Sequence, residues 1–93
     1  MAEQDVPWGP YNGEDFHIFG LSEYSKNITV SSDRGSTMDV LVTAKDLNEK
    51  EERQTLGRGG NIEFHAGISR WKEFSIKGIG AQNQRAFGEY SYW

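Results

Sequence analysis

Apolar residues in this chain recur at every second position over short runs. In "NIEFHAGIS", Ile62, Phe64, Ala66 and Ile68 alternate with polar residues, and His65 falls on the opposite face. That period belongs to a strand with one face buried. "DFHIFGLSEY" sets Phe16 and Ile18 against Asp15 and His17, then reaches Gly20, where a bend or bulge is predicted. "KNITV" repeats the alternation with Ile28 and Val30, and "SSDRGS" supplies a Ser/Asp/Gly turn before "TMDVLVTA". These two runs are predicted to form a hairpin, whose second strand places Met38, Val40 and Val42 on one face and Leu41 on the other with Asp39 and Thr43.

Two segments depart from this pattern. "VPWGPYNGED" holds both prolines and two glycines, so residues 1–13 read as an irregular lead-in, tacked onto the body by Trp8 and Tyr11. "KDLNEKEERQTLGRGG" supports two readings. Asp46 followed by Glu49 has the form of a capping box, and Gly57 is placed to close a helix of about ten residues. Only Leu47 and Leu56 are apolar there, however, and such a helix buries little; a charged hairpin loop around "NEKEE", leading into a strand at Arg53 to Leu56, explains the residues equally well. After "GRGG" come "NIEFHAGIS", a turn-like "RWKE", then "FSIKGIG", polar "AQNQRA" and a last strand in "FGEYSYW".

The sum is an all-β chain, a small antiparallel β-sandwich or barrel of six to seven short strands with at most one short helix. Parallel strands would need amphipathic crossover helices that the sequence lacks. Glycines inside strand-like runs, at positions 20, 67, 78, 80 and 88, imply bulges or close backbone approach. With 93 residues there is room for one domain, and with no cysteine its stability rests on packing, for which five Phe, four Tyr and three Trp supply the material.

No run approaches the roughly 18 apolar residues of a membrane helix. The start, "MAEQDVPWGP", lacks a basic segment followed by an apolar stretch, so no secretory signal is read and the compartment is left open. The alternation "FGEYSYW" is interrupted at Ser91 and Glu89, against a transmembrane barrel strand. The "NIT" sequon at Asn27 carries no weight without a secretion signal.

Candidate chemistry is sparse. Asp15 and His17 on one strand, and Glu63 and His65 on another, offer oxygen and nitrogen ligands suited to zinc or iron if the two strands are neighbours. Two-residue spacing of polar groups is also the mark of a solvated sheet face, and that reading is preferred, so no metal and no cofactor are expected. The serines lie in turn contexts without a nucleophile elbow, and "GRGG" lacks the spacing of a phosphate loop. A small sandwich rarely encloses the cleft that paired carboxylates need for glycoside hydrolysis. A non-catalytic role follows.

Charge adds one positive hint. The net charge is −4, which disfavours a nucleic-acid binder. Residues 1–52 hold four Lys/Arg and eleven Asp/Glu, whereas residues 53–93 hold six and three. The second half interleaves Arg58, Arg70, Trp71, Lys72, Phe74, Lys77 and Arg85, a mixture of cations and flat rings. If strand order keeps the halves apart, acidic and basic faces favour head-to-tail contact between copies; if it mixes them, the asymmetry vanishes. The aromatic strand with Tyr90, Tyr92 and Trp93 is a candidate for strand addition, with completion of the domain's own sheet as the plainer reading. The leading expectation is a protein-binding or assembly module, self-association included. The alternative is a carbohydrate- or anionic-ligand domain with Trp71 as stacking platform beside Arg70 and Lys72.

Overall fold

Alternating apolar positions turn inward here as strands. A computed structural model describes residues 3–93 and contains β1 (Glu3–Asn12), β2 (Phe16–Ser25), β3 (Asn27–Ser32), β4 (Asp39–Asp46), β5 (Glu51–Leu56), β6 (Asn61–His65), β7 (Trp71–Ile79) and β8 (Arg85–Tyr92). The first sheet has the order β1-β8-β3-β6 and the second β2-β7-β4-β5, all neighbours antiparallel. Among the described residues there is no helix, and therefore none long and apolar enough to cross a membrane.

The pairing is nested. β4 pairs with β5, β3 with β6, β2 with β7 and β1 with β8, as in one long hairpin folded at its tip and rolled into two layers. This is the jelly-roll form of the sandwich. Its core lies between the layers, where Ile28, Val30, Phe64, Ala86 and Tyr92 of the first sheet meet Val40, Val42, Leu56, Phe74 and Ile76 of the second. Phe74 stacks on Phe19 and meets Tyr90 edge-on, so three aromatic rings bridge the layers.

Three expectations change, and one open alternative is resolved. The segment read as an irregular lead-in is strand β1 from Glu3 onward, which supplies the eighth strand; residues 1 and 2 lie outside the described residues. It is interrupted by register shifts between Glu3 and Val6 and between Trp8 and Tyr11, and its prolines sit on a sheet edge, where a missing N–H costs no ladder bond. Second, β3 and β4 are not a hairpin. "SSDRGS" carries the chain from one sheet to the other, and Ser36 is buried there with its Oγ accepting from the Phe87 N–H. Third, the hairpin reading of residues 46–56 is the correct one. Finally, "RWKE" is the start of β7 instead of a turn.

Glycine permits the two closest backbone approaches. A Cβ on Gly88 would collide with the Ser31 carbonyl and one on Gly78 with the Gly13 carbonyl, while a Cβ on Gly20 would meet nothing within 4 Å. Gly88→Ala is therefore expected to cost about 3 kcal/mol through forced separation of β3 and β8. Gly20→Ala should be neutral or stabilising by about 0.5 kcal/mol. Urea unfolding midpoints of the two variants check both.

Candidate functional site

The sequence-derived residues do not form one surface. Trp71 is 4% exposed and meets Phe64 edge-on at 6.0 Å, so neither ring face is open to a ligand. Its indole N–H and the hydroxyl of Ser25, its register partner on β2, find no acceptor or donor among the described residues. Phe74 and Tyr92 are also core residues, and the Tyr92 hydroxyl bonds the Ser22 hydroxyl at 2.6 Å. Tyr90 is half-buried, and that burial raises the pKa of its phenol. β8 lies between β1 and β3, so the aromatic strand has no open edge and completes the domain's own sheet.

The cations are dispersed. Lys77 stands on the outer face of the second sheet beside Phe16 and Leu41, and Arg58 lies in the β5–β6 turn. Arg70 borders a shallow depression of about 290 Å³ with Leu47 and Ile68. Lys72 is held by Glu49, which lies at φ 66° in the β4–β5 turn and also meets Lys45 at 3.7 Å. Hydrogen bonding to Lys72 lowers the Glu49 pKa, and the same bond raises that of Lys72. Both sheets interleave strands from the acidic and basic halves, so the charge split along the sequence does not become two opposed faces.

The metal constellation is not assembled. His17 lies on β2 of the second sheet and stacks on Tyr11 at 4.2 Å, whereas His65 lies on β6 of the first. His65 is bonded through Nδ1 to Asn27 Oδ1 at 2.8 Å and through Nε2 to Glu63 at 3.2 Å. No group of three or more His, Cys, Asp or Glu placed to hold a metal occurs among the described residues.

What the strand order does expose is four sheet edges, and three are guarded. β1 carries Pro7, Pro10 and two register shifts, β5 carries Glu51, Glu52 and Arg53, and β6 is five residues long with Glu63 and His65 pointing outward. Prolines, irregularities, charge and shortness are the usual means of blocking further strands. β2 has none of them from Phe16 to Gly20, "FHIFG", and pairs there in unbroken register; its one register shift lies beyond, between Gly20 and Ser25. The Gly78 N–H donates to the Asp15 carbonyl, which makes Asp15 and Gly78 a hydrogen-bonded pair. By alternation the backbone groups of Phe16, Ile18 and Gly20 point away from β7 to the open edge. Their side-chain face is exposed too, with Phe16 at 54% and Ile18 at 60%. Sequence reasoning found this strand but named β8 as the candidate for strand addition, because order within a sheet is not written in alternation.

A measurable consequence attaches to the Glu49–Lys72 pair. A carboxyl whose folded pKa is lowered adds stability above its ordinary pKa and loses it as pH falls through the folded value. The stability difference between the native protein and Glu49→Gln should therefore be present at neutral pH and vanish below the ordinary carboxylate range; denaturation midpoints across an acid series would show it.

The chain matches no protein-family model and no curated protein. Among solved structures it resembles part of AlgX from Pseudomonas aeruginosa, with a TM-score of 0.57 and 12% identity over all of this chain and 26% of that one. The chain thus spans about a quarter of that protein, and at this identity the likeness concerns the fold alone.

Proposed function

We propose that this chain is a non-catalytic protein-binding module that accepts an extended segment of a partner as a ninth strand beside β2. The observation that carries the proposal is the unguarded edge from Phe16 to Gly20, with the backbone of Phe16, Ile18 and Gly20 directed outward and Phe16 and Ile18 exposed. Main-chain hydrogen bonds at such an edge supply affinity, and alternate side chains supply selectivity.

The occupant is a foreign strand with apolar alternation and basic flanks. Glu14 and Asp15 precede β2 and Glu23 lies near its other end. Antiparallel pairing of two β2 edges would bring these acidic ends together, which disfavours a second copy and favours lysine or arginine at the ends of the partner segment.

Titration with a peptide of alternating valine and threonine, carrying lysine at both ends, should shift the backbone amide signals of Phe16, Ile18 and Gly20 and leave those of β5 unmoved. Ile18→Pro removes an N–H that β7 does not use, so it should abolish these shifts while the fold persists. Unmoved amides at millimolar peptide would sink strand addition. Light scattering should give a monomer at low and high salt; a salt-sensitive dimer would instead favour a second copy.

A further inference from the structure

The outer face of the first sheet carries open depressions, and these follow from which residues it carries. Pro7, Glu89, Ser31 and Asn61 form one row across its four strands, and Ser91, Thr29 and Glu63 form the next. Short side chains occupy β3, with Thr29 and Ser31, and one position of β8, Ser91, while Phe87 and Glu89 of β8, Trp93 just beyond it and residues of the outer strands stand around them. Three depressions result. The largest, about 680 Å³, lies among Pro7, Asp33, Arg34, Asn61, Phe87 and Glu89. A second of about 150 Å³ shares Ser31, Asn61 and Glu89 with it, and a third of about 420 Å³ shares Thr29 and Ser91 with the second and ends at Trp93. Together they make one trough along the face, its first part within the size range of small-ligand sites.

Its lining is selective. Hydroxyl, amide and carboxylate groups are set among Pro7, Phe87 and glycine backbone, and the Thr29 hydroxyl, the Asn61 amide and the Glu89 carboxylate hold no hydrogen bond to another described residue. At one end Trp93 exposes 48% of its surface, with Gln4, Thr29 and Ser91 around it. Three carboxylates, Asp5, Asp33 and Glu89, face the trough against one guanidinium, Arg34.

We infer that this trough binds a neutral or amine-bearing oligosaccharide. Sugar hydroxyls match the mixed donors and acceptors of the floor, and a pyranose presents an apolar C–H face to stack on Trp93, a ring with one apolar body and one polar handle. The surplus of carboxylates repels an anionic chain, so the anionic ligand suggested by the basic second half of the sequence does not suit this site. Trp71, buried in the core, is replaced as stacking platform by Trp93. The inference does not depend on the β2 edge, which lies on the other sheet.

Affinity electrophoresis of the full chain through gels containing a β-glucan, a xylan, a mannan, chitosan or polygalacturonate tests it. Retardation by at least one neutral polysaccharide or by chitosan is expected, with that by polygalacturonate weaker. Trp93→Ala should weaken it about tenfold. Thr29→Arg, which fills the floor, and Asn61→Lys, on the exposed edge strand, should remove it, while Ile18→Pro should leave it intact. Thermal melts identify a variant that fails to fold. No retardation by any neutral polysaccharide or by chitosan, retardation led by polygalacturonate, or retardation unchanged in folded Trp93→Ala and Asn61→Lys would overturn the inference.

Discussion

The Asp46 carboxylate is buried at the tip of the nested hairpin, where its Oδ1 accepts the backbone N–H groups of Asn48 at 2.8 Å and Lys50 at 2.9 Å. The Asp46 N–H in turn donates to the Lys50 carbonyl, and the Leu47 N–H ties the tip to the Arg70 carbonyl. Four backbone N–H groups of a charged, apolar-poor loop are thus satisfied, two of them by the Asp46 side chain itself. The consequence reaches further than the loop, because β4 and β5 start their pairing here and β7 aligns on β4. A one-residue slip at the tip would exchange inward Leu56 for outward Thr55 and carry the error into the next strand.

Rolling the nested hairpin into two layers then decides which surfaces remain. β1 and β2 come to one side of the sandwich, joined by the stack of Tyr11 on His17, and β5 and β6 to the other. Close layers of backbone at Gly88 and Ser31 keep β3 and β8 tightly paired under the trough, and the small side chains that line its floor are those of the same two strands. The open edge and the trough are thus products of one topology, on different sheets.

Most strands were legible because one face of each is buried, and β4 shows it cleanly: Val40, Val42 and Ala44 turn inward while Leu41 lies half-exposed. What alternation does not encode is the neighbour. "SSDRGS" has turn chemistry whether it returns a strand within its sheet or hands it to the opposite one. β1 escaped because edge position tolerates the prolines that exclude a central strand. Trp71 was misplaced for a local reason. Phe74, Ile76 and Gly78 alternate inward, which by parity puts Trp71 outside, but a register irregularity beside Lys72 rotates it into the core. Without that extra residue the indole would stand in water, as the sequence suggested.

The pairing of β1 with β8 also has a kinetic side. Glu3 opposes Tyr92, so closing the first sheet joins residues from opposite ends of the described chain, and β8 fills the gap between β1 and β3. Partners so distant in sequence must be brought together at a loop-closure cost before their contacts reward it, and such topologies fold slowly. A ribosome releases β8 after the seven strands that precede it, leaving β3 with a bare flank during synthesis. The first sheet is consequently completed only once β8 has been made, whereas β4 and β5, adjacent in sequence, pair at the smallest loop-closure cost.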